Sequence, residues 1–327
     1  MRLAISLATI AALALTGGAL AVDRRAAARE AQAQADFPPE GQLITVNGTT
    51  VHVLIRGTGP DLVLLHGASG NLRDFSFGLI DQLSDRYRVI AFDRPGLGYS
   101  GRTDPAYDSA FTTNAETLSE QADLLQAAAA QLGADRPLVL GQSFGGSVAL
   151  AWALDHPDNI AGLVLVSAPS QGWNGGLGPL YAVNSSYLGG AFLLPVISAF
   201  APGTQVRVTL DGIFAPNPVP PGYDAHVGAE LVIRRGSLRA NARQVSALKS
   251  ELLTMIHRYG SLSLPVELVH GDSDTVVPLS IHSAKLVTQI PDAVLTALAG
   301  VGHMPHHSDP QAVTLAIDRA AARAGLR

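Results

Sequence analysis

From Gln42 onward, short apolar runs alternate with longer stretches in which apolar residues recur every three or four positions. Leu43–Val46 and Val51–Ile55 flank the pair Asn47-Gly48, whose tolerance of positive φ suits a two-residue turn, so the pattern predicts an antiparallel hairpin. Buried-strand runs follow at Leu62–Leu65, Arg88–Phe92, Leu138–Leu140, Leu163–Val166, Val266–Val269 and Val294–Leu298. Between most of them the period is helical. Thr113-Asn114-Ala115-Glu116 reads as a capping box that opens a helix, turns Leu118, Leu125 and Leu132 inward, and stops at Gly133. Strands joined by helices imply an α/β fold, a mostly parallel, doubly wound sheet covered on both faces.

Two stretches break this rhythm. Residues 170–264 carry Gly- and Pro-rich turns (GWNGGLGP, APNPVPPG) and amphipathic pieces such as Ala229–Ile256. Too long for a plain connection, they read as an inserted lid whose apolar residues face whatever lies above the sheet. At the N-terminus, Leu3–Val22 holds 20 uncharged residues, about 30 Å as a helix and enough to cross a bilayer. The run reads either as a cleaved signal peptide, with Ala19-Leu20-Ala21 as its cleavage site, or as an uncleaved anchor. Arg24, Arg25 and Arg29 just beyond it argue against easy export. The expected location is the membrane or the cell envelope, with the side left open. Residues 23–41 read as a polar, Ala-rich linker, and 42–169 with 265–327 as the catalytic core.

Composition adds exclusions. With 47% hydrophobic and 15% charged residues, the 327-residue chain can bury a full core. A formal net charge of -5, with no long cationic run, offers no field to attract nucleic acid. The absence of cysteine removes disulfides, thiolate nucleophiles and cysteine metal sites.

The chemistry concentrates in three loops. Gly141-Gln142-Ser143-Phe144-Gly145 follows the apolar Leu138–Leu140 and opens the helical run GGSVALAWALDH. As a bare G-x-S-x-G it carries little, since chance supplies roughly 0.2 copies in such a chain. Its setting between strand and helix is what a nucleophile elbow needs, a serine in a strained turn with small neighbours that let strand and helix approach. Such a serine requires a base, and the base an orienting acid. Asp272 and Asp274 stand in the loop after VELVHG, and His303 in the loop after VLTALAG, where strand ends of an open α/β sheet converge. Either aspartate qualifies as the acid on these grounds.

The pieces LVLLHGASG, VIAFDRPGLGYS, GQSFGGSVAL, HGDSDTVVP and GHMPHHSDP, in that order, resemble the α/β-hydrolase fold superfamily over residues 42–325. The resemblance implies Ser143 as nucleophile, His303 as base, and Asp274 as acid through the pattern D-x-x-[VI]-P, with Asp272 as the fallback. It implies an oxyanion hole from the backbone N–H groups of Ala68 and Phe144, a structural His66, and a structural turn at Asp93-Arg94-Pro95-Gly96 whose Arg94 has the length to reach the pocket rim. Serine in place of aspartate at the elbow argues against epoxide and halide chemistry. The implied reaction passes through an acyl-enzyme on a small-molecule ester or other acyl substrate, hydrophobic in character, with no cofactor. His303, His306, His307 and Asp309 lack a second group of ligands, which leaves no metal expected. Hydrolysis of a C–C bond, of the meta-cleavage type, is the alternative reaction. A non-catalytic ligand-binding protein on the same fold is the alternative of another class. Ser69, Asn71, Arg73 and Trp173 are pocket candidates with no assigned role.

Overall fold

The computed structural model describes residues 2–327, without the side chains of residues 2–12, 14, 179 and 180. Eight strands form one sheet: β1 (Gln42–Val46), β2 (Thr49–Arg56), β3 (Asp61–Leu65), β4 (Arg88–Phe92), β5 (Leu138–Gln142), β6 (Gly162–Val166), β7 (Val266–Gly271) and β8 (Val294–Leu298). Their order is β1-β2-β4-β3-β5-β6-β7-β8, with β2 antiparallel to both of its neighbours and the remaining pairs parallel. In the first hairpin Val46 pairs with Thr49 across Asn47 and Gly48, at φ of 50° and 83°. Positive φ at both positions is what a type I′ turn demands.

Alternation along the strands sets the layers. Val63 and Leu65 of β3 face one side of the sheet, Leu62 and Leu64 the other, and β4 and β6 divide in the same way. All of these residues are buried, because a parallel sheet is covered on both faces. One face packs the helices Leu118–Gln131 and Phe144–Asp155, the second of them apolar all round and buried along most of its length. The opposite face packs Phe75, Leu79 and the helix Pro310–Arg323.

The helix expected to start at Thr113 begins instead at Leu118. Thr117 Oγ1 accepts the Glu120 N–H at 3.1 Å, and Glu120 accepts the Thr117 N–H at 2.7 Å. Two T-x-x-E spacings stand back to back here, and Glu116 is removed from the first because burial against Arg102 claims its carboxylate, at 2.9 Å from Nη2.

Residues 23–36, expected as a linker, continue the helix Arg2–Asp36 and pack on the domain. Ala26 and Ala33 are buried, Arg25 and Arg29 donate to the carbonyls of Ala199 and Ala201, and Arg235 pairs with Glu30 at 2.8 Å. Side chains seven positions apart share one helical face, so the alanines make a dry seam and the charges flank it. The apolar run of residues 3–22 lies largely among the side chains outside the described residues.

Between β6 and β7 the chain forms a helical segment that includes Pro179–Asn184, Leu194–Phe200, Gly203–Phe214, Tyr223–Val227 and Arg235–Met255. The amphipathic stretch expected over Ala229–Ile256 is interrupted at Arg234, whose φ of -60° and ψ of 142° are extended, and the long helix starts afresh.

Candidate active site

β5 ends at Gln142 and the next helix begins at Phe144, so Ser143 alone makes the turn, at φ 49° and ψ -125°. Residues with side chains rarely adopt such a conformation, which costs on the order of 1–3 kcal/mol and must be held by its surroundings. The Ser143 N–H is held by Val166 O of β6 at 2.9 Å. The flanking glycines are sterically required. A Cβ on Gly145 would lie 2.1 Å from Leu65 O, and one on Gly141 would lie 2.3 Å from Gly145 O.

His303, in the loop after β8, brings Nε2 to 2.9 Å from Ser143 Oγ and Nδ1 to 2.8 Å from Asp274 Oδ2. Asp274 Oδ1 accepts the backbone N–H groups of Val276 and Val277 at 2.9 and 2.8 Å. His270 Nε2 stands 3.2 Å from Oδ2 and 2.7 Å from Val277 O; with two acceptors before it, this nitrogen carries a proton. Burial alone would raise the Asp274 pKa, but hydrogen bonds from His270 and His303 outweigh it and hold the carboxyl well below its usual range. An ionised Asp274 fixes Nδ1 of His303 as a donor and leaves the lone pair of Nε2 for the serine hydroxyl. Asp272 turns away, accepting the Gly300 N–H at 2.8 Å. Ser143, Asp274 and His303 are 8%, 4% and 4% exposed, so the hydrogen-bonded series is almost closed to bulk water.

The loop after β3 lies against the serine: a Cβ on Gly67 would meet Ser143 Cβ at 3.1 Å and Gln142 Oε1 at 2.3 Å. Ala68 follows in that loop, and Phe144 heads a helix whose first N–H groups have no acceptor within it. Arg94, read as part of a structural turn and long enough to reach the pocket rim, does not reach it and is fully buried beneath this loop. Its Nε donates to His66 O at 2.8 Å, Nη2 to Gly67 O at 3.1 Å and Nη1 to Gln121 Oε1 at 2.7 Å. The guanidinium also lies 4.3 Å from the Phe144 ring centroid, so one cation braces both segments expected to supply oxyanion donors. Burial lowers its pKa to about 9.

Two imidazoles are held neutral around this frame. His66 donates from Nδ1 to Gly67 O at 2.9 Å and accepts the Arg94 N–H on Nε2 at 3.0 Å. His282 Nδ1 accepts the N–H groups of Ser170 and Gln171 at 3.1 and 3.2 Å. Burial, helped by the charge of Arg94 at His66 and of His270 at His282, lowers each pKa to about 4. Between about pH 6.5 and about 4 the unfolded chain therefore takes up protons that the folded chain refuses. Stability, full above this window, is expected to fall as pH drops through it, by up to about 1.4 kcal/mol per pH unit for each histidine. Melting temperatures recorded across the window check this; a flat profile rules out neutral burial of the pair.

The pocket candidates Ser69 and Asn71 prove to be joints to the β6–β7 segment. Asn241 Oδ1 accepts the Ser69 N–H at 2.7 Å and its Nδ2 donates to Ser69 Oγ at 2.8 Å, while Asn71 Nδ2 donates to Val227 O at 2.9 Å. Arg73 pairs with Glu40 at 2.8 Å, and Trp173 is half-buried beside His282. On the other side, Asn217 Oδ1 accepts the Gly302 N–H at 2.8 Å, next to His303. Sequence reasoning gave no signal for Asn217 or Asn241, since each acts through a distant backbone.

His306 and His307 converge not on His303 but on Asp74, at 2.9 and 2.8 Å, with the Tyr223 hydroxyl donating to the same carboxylate at 2.7 Å. The three metal-capable donors lie within 4.8 Å of one another, with Asp74 at hydrogen-bond distance from each imidazole. Asp309 sits apart, capping the Ala312 N–H at 3.0 Å.

The alpha/beta hydrolase fold family model matches residues 60–191. An uncharacterized protein of Mycobacterium tuberculosis is 28% identical over 281 residues, which span 84% of this chain and 78% of that protein. Two solved structures share the fold: an esterase from Rhodococcus sp., 24% identical over 86% of this chain and 98% of its own with a TM-score of 0.62, and a membrane phospholipase A described as a bacterial virulence factor, 19% identical over 98% of both chains with a TM-score of 0.64. Taken with the strand order and the turn at Ser143, these likenesses show that the chain has the α/β-hydrolase fold.

Proposed function

We propose that this hydrolase is a serine carboxylic ester hydrolase working through an acyl-enzyme. The observation that carries the reading is the unbroken hydrogen-bonded series Asp274–His303–Ser143, with the serine held at a strained φ of 49°. In this reading Ser143 Oγ attacks the ester carbonyl while His303 Nε2 takes its proton, and the same imidazolium then protonates the departing alcohol. Asp274 keeps the ring in the productive tautomer and offsets its charge. The N–H groups of Ala68 and Phe144 receive the developing oxyanion, an interaction worth about 3–4 kcal/mol per donor in sites of this type. Water, activated by His303, then releases the acyl group. The apolar residues of the β6–β7 segment, together with the likeness to an esterase and a phospholipase, favour a hydrophobic acyl or alcohol group. Residues 3–22 are proposed to attach the chain to a membrane.

A fluorophosphonate probe tests the nucleophile directly. Labelling of the full chain, with the modified peptide identified by mass spectrometry, is expected at Ser143, accompanied by turnover of short-chain aryl esters. Labelling without ester turnover would keep the nucleophile and overturn the ester assignment in favour of C–C bond hydrolysis. A folded, unlabelled protein would sink the enzymatic reading itself.

A further inference from the structure

The β6–β7 segment carries an apolar stripe turned outward. Leu188, Phe192, Val196 and Phe200 recur every four residues and are 70%, 63%, 41% and 53% exposed, while Leu194, Ser198 and Ala199 on the same stretch are buried. A four-residue period places side chains on one face of a helix, here over about 18 Å. Phe111 and Tyr187, each 53% exposed, widen one end, with ring centroids 6.2 Å (Phe111 to Phe192) and 6.1 Å (Phe111 to Tyr187) apart. Water-facing helices show the reverse pattern, and a contiguous apolar face of this kind marks a contact surface.

The other end of the stripe meets the N-terminal helix. The Arg25 guanidinium lies 4.9 Å from the Phe200 ring centroid, and its Nε donates to Ala199 O at 2.8 Å. Exposed Leu13, Leu15 and Leu20 stand on that same helix, within the uncharged run of residues 3–22. Arg24, Arg25 and Arg29 stand at the junction, where cations meet lipid phosphates. Among residues described with their side chains, no single helix is long and apolar enough to cross a membrane. The pair Gly189–Phe200 and Gly203–Phe214, bent by 102°, passes that test of length and composition together.

We propose that the stripe Leu188–Phe192–Val196–Phe200 docks on the surface of a lipid bilayer, the same bilayer that receives residues 3–22. The proposal rests on reading that run as a membrane segment, and it assigns a second, independent lipid contact to the β6–β7 segment. The helix lies flat in the interfacial layer, with the arginines at headgroup level.

The cysteine-free sequence permits a clean test. Full-length single-cysteine variants Leu13→Cys, Phe192→Cys, Val196→Cys and Leu315→Cys are labelled with an environment-sensitive fluorophore and reconstituted in phosphatidylcholine–phosphatidylglycerol vesicles. Leu315, 50% exposed on the helix Pro310–Arg323, is the control. Probes at 192 and 196 are expected to shift to the blue and lose about half of their emission to a shallow spin-labelled lipid, as suits a stripe seated roughly 5–10 Å deep. The probe at 315 should stay unchanged. Quenching at 13 without quenching at 192 and 196 overturns the docking surface and leaves the membrane segment standing; no quenching at any position removes both. Energy transfer to a labelled second copy, without lipid quenching, overturns the lipid in favour of self-association.

Discussion

Replacing Ser143 by alanine is expected to lower ester turnover by about 10⁶-fold without unfolding the protein. The side chain makes one described hydrogen bond, to His303 Nε2 at 2.9 Å, and the Cβ that alanine retains keeps the backbone pinned by Val166 O. What disappears is the oxygen proposed to form the acyl bond. The N–H groups of Ala68 and Phe144 and the bound geometry remain, so a residual acceleration of about 10³–10⁴ over water should persist. Because the nucleophile and its base act as one unit, adding His303→Ala to Ser143→Ala should cost almost nothing further. Steady-state rates of the two variants on an aryl ester, with melting curves beside them, decide the matter. A loss below about 10²-fold, against the 10⁶ expected of a nucleophile, would move nucleophilic attack to another residue.

Asp274→Asn should lower kcat/KM by about 10⁴-fold, through the tautomer of His303 and not through lost packing. Oδ1 of residue 274 faces two backbone donors, Val276 and Val277. An asparagine must therefore leave its carbonyl there and turn its NH₂ toward His303 Nδ1 and His270 Nε2. Facing that donor, Nδ1 becomes the acceptor and Nε2 carries the proton, so the nitrogen beside Ser143 can no longer accept one. His270 Nε2, which shares Oδ2 at 3.2 Å, meets an N–H group in the same exchange, and stability should fall as well. Asp272→Asn, at a carboxylate that accepts the Gly300 N–H and the Ser273 hydroxyl, should leave kcat/KM within about twofold, the range of a surface substitution that touches no reacting group. Equal losses in the two variants would contradict the assignment of the acid.

Sheet and elbow were legible because their signals are local. β4 and β8 coincide with apolar runs bounded by turn residues, and the glycines around Ser143 announce a place where backbones nearly touch. The register of the helix at Leu118 was not, because Thr113 and Thr117 open identical spacings and only the distant Arg102 separates them by drawing Glu116 into the interior. The Ala-rich stretch after Val22 reads as a linker for a similar reason. Its helix owes its place to the surface beneath Ala26 and Ala33, contributed by residues more than 150 positions away. Arg94 shows the limit most sharply. Nothing local distinguishes a charged side chain at a rim from one enclosed under two backbone carbonyls, and burial of the guanidinium follows from Gln121, Gln244 and Phe144 assembling around it.

Asn241 grips Ser69, one residue beyond Ala68, and Asn217 grips Gly302, one residue before His303. Both asparagines belong to the β6–β7 segment. A movement of that segment would therefore loosen together the loop that carries Ala68 and the loop that carries His303. In the proposed reaction, such a movement would place admission and chemistry in different conformations of the molecule.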